Sequence, residues 1–167
     1  MRLSQTYTLP FKRKSEGKTD YKKRLRLLES RKPRLVVRRS LKFIQAQIIS
    51  YEKNGDRTLV SSNSMSLKKL GWNFACDNTS AAYLVGFAIG KVALKNNIQE
   101  AILDSGLYRS TKGNRIYAVV KGARDAGLNV PVGEEMLPSD DRVMGKHTQN
   151  KDLPTKLEEI KQKMEKA

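Results

Sequence analysis

The sequence predicts an α/β fold, a mixed β-sheet covered by helices, and three observations predict it. Short strand-like runs crowd residues 33–63; apolar residues recur at helical spacing over 82–92 and again over 116–123; and brief strand-like triplets follow each helix, at 101–103 and 128–130. A meander followed by helices alternating with single strands is a layered α/β pattern.

The elements follow in order. Residues 1–20 mix charge with Ser, Thr, Pro10 and Gly17 and have no periodicity, so they read as an extended arm that needs a partner to order it. Tyr21, Leu25 and Leu28 then stripe a short helix that Asp20 can cap, with Lys22, Lys23, Arg24 and Arg26 on its wet face. Pro33 closes that helix. Leu35–Val37 and Phe43–Ile49 are strand-like, and the second alternates: Ile44, Ala46 and Ile48 share one face, Gln45 and Gln47 the other. Asn54-Gly55-Asp56 signals a turn and Thr58–Ser61 follows it, which completes an antiparallel meander.

A helical turn around Ser66–Leu70 leads to Asn78 or Thr79, either of which can cap a long helix carrying Ala82, Val85, Ile89 and Val92. Asn96-Asn97 ends it. Ala101–Leu103 is a brief buried strand; Ile116, Val119, Val120 and Ala123 make another helix, stopped by Gly127 where left-handed backbone costs glycine little. Leu128–Val130 reads as the last strand. Residues 133–149 read as loop with a turn at Pro138–Val143, and Leu153, Leu157, Ile160 and Met164 stripe a terminal helix, too short and charged to stand alone, that must dock on the body or a neighbour. The chain thus divides into a basic extended arm (1–20), an α/β domain (21–131), a loop-rich extension (132–150) and a C-terminal amphipathic helix (151–167).

The net charge of +16 marks a protein that attracts polyanions, and its distribution is more telling than its size. Residues 1–42 hold 15 of the 33 Lys and Arg but three of the 17 Asp and Glu, leaving a net +4 for everything that follows. That asymmetry describes a basic arm on a nearly balanced body. With one cysteine, Cys76, and one histidine, His147, neither an internal disulfide nor a His/Cys metal site can be assembled, and a Ser-His-Asp device has a single histidine to use. Gly86-x-x-x-Gly90-Lys91 has Val92 where a phosphate-binding loop needs Ser or Thr, so close packing of helix on sheet explains those glycines better. Asp56, Asp104, Asp140 and Asp141 form no evident carboxylate set for two-metal chemistry. No apolar stretch has the length of a membrane span or the form of a signal peptide, so a cytoplasmic protein without cofactors, without membrane association and without catalysis is expected.

What remains is a surface for binding RNA or DNA. Arg13, Arg24, Arg26, Arg34, Arg38 and Arg39 offer planar forks to phosphates, Lys12, Lys14, Lys22, Lys23, Lys32 and Lys42 offer point charges, and Arg2 and Arg31 add to the set. Ser40, Gln45 and Gln47 suit ribose 2′-hydroxyls or base edges, though a solvated strand face would look the same. Tyr7, Phe11, Tyr21 and Tyr108 can stack on unpaired bases or anchor the fold.

Read together, Tyr21-x-x-Arg24-Leu25-x-Leu27-Leu28, Lys32-Pro33-Arg34-Leu35-Val36-Val37-Arg38-Arg39-Ser40 and Gln45-x-Gln47-Ile48 resemble the large-subunit ribosomal protein, number eighteen in the traditional scheme, that binds 5S ribosomal RNA. Asn78-Thr79-x-Ala81-Ala82-x-Leu84-x-Gly86, Asp104-x-Gly106-Leu107 and Gly122-Ala123-x-Asp125-Ala126-Gly127-Leu128-x-Val130-Pro131 are similar to later parts of the same family, and Leu137-Pro138-x-x-Asp141-Arg142-x-x-Gly145-x-His147 to the extension of its archaeal form. The resemblance runs from about Tyr7 to His147. It implies a three-layer fold with a non-catalytic, ribonuclease H-like sheet. It also implies a place on 5S rRNA in the central protuberance of the large ribosomal subunit, beside large-subunit rRNA and neighbouring ribosomal proteins, with no DNA partner. By the same likeness Arg34, Arg38, Arg39, Ser40, Lys42, Gln45 and the arm carry most RNA contacts. Arg109, Ser110, Lys112, Asn114 and Arg115 form a second candidate loop. The alternatives are another basic binder of structured RNA, a chromatin-type protein, or a metal-dependent nuclease using Asp104.

Overall fold

In the computed structural model, which describes residues 8–148, 150 and 152–166, the meander forms as the sequence predicts. Strands β1 (Arg34–Arg39), β2 (Ile44–Glu52) and β3 (Gly55–Asn63) pair antiparallel, and β4 (Ile102–Asp104) joins β1 in parallel, giving the order β3-β2-β1-β4. Glu52 pairs with Gly55 across a two-residue turn, Lys53-Asn54, and the β2–β3 register shifts at Ile48/Ile49. The pairs Leu35↔Ile48 and Val37↔Ala46 set one face of the sheet; Val36↔Gln47 and Arg38↔Gln45 set the other.

The first face is the core. Leu35, Val37, Ile44, Ala46, Ile48 and Val60 pack beneath helices α3 (Thr79–Lys95) and α4 (Arg115–Asp125). Asn78 caps α3 by accepting from the Ala81 amide at 2.7 Å, and Asn114 caps α4 by accepting from Ile116 and Tyr117 at 2.8 and 3.1 Å. The α3 glycines face α4 rather than the sheet, which corrects the sequence reading. A Cβ on Gly86 would stand 1.9 Å from the Val119 carbonyl oxygen, and one on Gly122 would stand 2.1 Å from that of Tyr83. Two helices crossing at backbone contact leave no room for a methyl group.

Helix α6 (Leu153–Lys166) buries Leu153, Leu157 and Ile160 against the body, and Lys161 lies over the rings of Tyr83 and Phe87. The expected turn at 138–143 is a short helix, α5 (Asp140–Met144), whose Val143 is buried. Leu128–Val130 is not a fifth strand. It makes one parallel bridge, Glu100↔Asn129, and Pro131, with no amide hydrogen, cannot extend the ladder.

On the other side of the sheet lie α1 (Lys12–Ser15) and α2 (Tyr21–Glu29), the third layer. Residues 12–19 are not extended chain as expected: α1 is a helical turn closed at Gly17, φ +62°, and the Phe11 ring packs 5.0 Å from that of Tyr21. Asp20 caps α2, accepting from the Lys22 and Lys23 amides at 3.0 and 3.2 Å. The expected stripe shifts, because Leu25 is 62% exposed while Tyr21, Leu27 and Leu28 are half-buried. No residue of α2 is fully buried, and the Arg24–Asp56 ion pair at 2.9 Å is one of the ties that hold this helix to the sheet.

Candidate nucleic-acid interface

The pleat of the sheet decides which polar side chains point away from the core. Along β1 it turns Arg34, Val36 and Arg38 outward; register then sets Gln45 opposite Arg38 and Asn63, and Gln47 opposite Val36 and Ser61. The result is a polar strip, with Gln45 and Gln47 half-buried, running across three strands. At its end the β1–β2 turn is fixed by Ser40. Its hydroxyl oxygen accepts from the Lys42 and Phe43 amides at 3.2 and 2.9 Å, and its own amide donates to the Phe43 carbonyl at 2.8 Å. That rigid tip exposes Leu41 and Lys42. Beside it Arg39 lies 5.0 Å over the Tyr108 ring, while the Tyr108 hydroxyl donates to the Arg39 carbonyl at 2.7 Å. Tyr108 is therefore an anchor for Arg39 and not a free stacking platform.

Between the strip and α2 a cleft of about 520 Å³ is lined by Arg13, Lys18, Lys23, Arg24, Arg34 and Arg38, with Asp20, Asp56 and Asp104 among them and the apolar Val36, Ile49 and Leu27 beside them. Six cations against three carboxylates leave it net positive. Lys12, Lys14, Lys22, Arg26, Arg31 and Lys42 are exposed and have no side-chain partner among the described residues. Those cations are free to meet phosphates. Arg13 donates to the Thr19 hydroxyl, Lys23 to the Ser105 hydroxyl and the Gly106 carbonyl, and Lys32 to Glu100, so each would exchange an existing partner for RNA.

Arg34 is a correction. Expected on the RNA surface, it is 3% exposed, with one guanidinium nitrogen on Asp56 at 2.7 Å and another on Asp104 at 2.8 Å. Its Nε is buried without a hydrogen-bond partner among the described residues. Arg34 supports the surface from below. The second loop also changes character: Asn114 is the α4 cap, Arg115 donates to the Asp77 carbonyl and carboxylate, Lys112 pairs with Glu135 at 2.7 Å, and Ser110 hydrogen-bonds Tyr117. Arg109 alone of the five is exposed without a side-chain partner among the described residues. Arg2 and Tyr7 lie outside the described residues.

The aspartates are what the sequence reading missed. Asp56 looked like a turn residue and Asp104 like a strand end, and only the register brings both to Arg34. Arginines hold both carboxylates, which leaves neither open for two-metal chemistry. No group of three or more His, Cys, Asp or Glu among the described residues is placed to bind a metal, and no described helix is long and apolar enough to cross a membrane.

The family described as "Ribosomal large subunit proteins 60S L5, and 50S L18" matches this chain over residues 5–101 and 95–133. The chain belongs to this family. Its relative in Methanococcus maripaludis, named large ribosomal subunit protein uL18, is 46% identical over 150 residues, covering 90% of this chain and 78% of the relative. The family match takes in α1, α2, all four strands, α3 and α4, so the polar strip, the cleft and the Ser40 turn all fall inside it. Helices α5 and α6 lie beyond the family match.

Proposed function

We propose that this protein is a structural constituent of the cytoplasmic large ribosomal subunit. In this reading it binds 5S rRNA through the polar strip, the Arg38–Lys42 turn and the basic arm, and so helps anchor that RNA in the central protuberance beside large-subunit rRNA and neighbouring ribosomal proteins. The observation that carries the reading is a single one. Within a chain of this family, the face of the sheet not covered by α3 and α4 is lined by Arg38, Gln45 and Gln47 and flanked by exposed cations that lack protein partners. Cations supply the sequence-independent attraction to phosphates, and the half-buried amides on a fixed strand face supply contacts that depend on RNA shape and on 2′-hydroxyls.

The test is equilibrium binding of the purified chain to 5S RNA and to duplex DNA of equal length at moderate salt. The RNA should be bound clearly tighter, and affinity should fall about a thousandfold or more between about 50 and 200 mM salt if about six to ten phosphates are contacted. Equal affinity for both would sink the proposal. Co-migration with 5S RNA in isolated large subunits is the corresponding check in the cell.

A further inference from the structure

Five charged side chains from segments far apart in sequence form one chain across the cleft. Arg24 of α2 donates through Nη2 to Asp56 Oδ1 at 2.9 Å. The other oxygen of the same carboxylate accepts from Arg34 Nη2 at 2.7 Å, Arg34 Nη1 donates to Asp104 Oδ2 at 2.8 Å, and Asp104 Oδ1 stands 3.7 Å from Arg38 Nη2. The central Arg34 is sealed in, whereas the side chains of Arg24 and Arg38 are 30% and 43% exposed. Both outer arginines line the cleft. Arg38 is oriented further by donating to the carbonyls of Val37 and Asp104 at 2.9 and 3.0 Å.

On Coulombic grounds alone, two carboxylates in this cleft oppose a polyanion. Their geometry gives them another use. No residue of helix α2 is fully buried, and its ties to the body include Arg24–Asp56 at the sheet and the bonds of Lys23 to Ser105 and Gly106 just beyond β4. We propose that Asp56 and Asp104 are positioning residues for RNA binding, which hold Arg24 with its helix, and Arg38, in fixed orientation for phosphates at the cost of two negative charges beside the site. The inference rests on the uncovered face being the RNA surface. Ordering long arginine side chains before the RNA arrives removes an entropic penalty that binding would otherwise bear.

The sign of one substitution separates this role from a field effect. Asp56 gives one oxygen to each of two arginines, but the amide of Asp56→Asn has a single acceptor oxygen and an NH2 group that a guanidinium repels. One arginine must be released, and the half-exposed Arg24, which water can solvate, is the one that leaves. Asp56→Asn should therefore bind 5S RNA roughly three- to tenfold more weakly than the parent, although it removes a negative charge. Its salt slope should flatten by about one phosphate contact. Arg24→Gln should lose a similar factor, the double variant should lose little more than Arg24→Gln alone, and Asp56→Glu should recover part of the affinity. Asp104→Asn should shift affinity in the same direction.

Amide exchange in the free protein gives a reading independent of how well Asp56→Asn folds. Arg24→Gln, on the surface helix, should speed exchange over residues 21–29 while leaving α3 and α4 protected. Unchanged exchange there would overturn the inference. So would Asp56→Asn binding as tightly as the parent or tighter, or losses that add fully in the double variant. If the parent itself fails to prefer 5S RNA to duplex DNA, the functional reading falls and this inference with it, a result distinct from failure of the variants alone.

Discussion

On the side of α3 and α4 the sheet presents Leu35, Val37, Ile44, Ala46, Ile48 and Val60, all buried, with two helices crossing so closely that glycine is required at the contact. On the side of α2 the same strands present Arg34, Arg38, Gln45 and Gln47, and the covering helix contributes no fully buried residue. The first side is dense and apolar, so its interactions are lost together and it holds the global stability. The second is joined by ion pairs and polar ties that are individually weak in water, and each of those groups has a use for a phosphate or a ribose. One sheet thus carries a face that resists opening and a face whose contacts, in the proposed function, are exchanged for RNA.

The sharpest way to break that division is to disturb the dense side. Gly→Ala in a helix ordinarily stabilises by up to about 1 kcal/mol, but at Gly122 or Gly86 the added methyl meets backbone and should destabilise by about 3 kcal/mol or more in urea denaturation. Stability unchanged in either variant would mean that the helices can part without loss. On the other side, deletion of residues 1–19 should lower 5S RNA affinity about tenfold or more and flatten the salt slope by about 0.9 per lost phosphate, with the melting temperature moved by only about 2 °C or less. The cut belongs at Thr19, since Asp20 caps α2. A large fall in melting temperature would show that the arm is part of the fold.

Asp20→Ala isolates that cap. It should cost about 1 kcal/mol, confined to residues 21–29 and read by their amide exchange, with global melting nearly unchanged. The smallest effect is expected at Asp140, whose carboxyl is held below its ordinary pKa first by a hydrogen bond from Lys121 and then by the charge of that ammonium. A lowered folded-state pKa contributes stability above the unfolded value and loses it as the pH falls through the folded one. Because Asp140 is exposed, Asp140→Asn should cost well under about 1 kcal/mol at neutral pH. Its difference from the parent should begin to shrink as the pH nears the ordinary carboxylate value of about 3.9 and vanish only below the lowered folded-state value. A difference that persists at lower pH would assign the effect to something other than this ion pair.

How much of this was readable in advance depended on how local each feature is. The alternation of Ile44 to Ile48, the caps at Asp20 and Asn78 and the stop at Gly127 are written within a few residues of where they act, and the structure contains each of them. The arm departs from extended chain because Phe11 meets Tyr21 across a loop, and the stripe on α2 shifts because its inner side is the one that lines the cleft. Leu128–Val130 has strand composition, but Pro131 withholds the amide a ladder needs.

The class of fold, the two faces of β2 and the concentration of positive charge in the first quarter of the chain are legible from the residues alone, because periodicity, capping and net charge are properties of neighbours along the chain. Which of those charges meet solvent is set by long-range packing. Arg34 and Arg38 stand four residues apart on the same face of one strand, yet one is sealed between aspartates 22 and 70 residues away while the other lines the cleft with its side chain 43% exposed. Strand pairing brings those partners together, and no spacing along the chain distinguishes an arginine that will find two carboxylates from one that will find water.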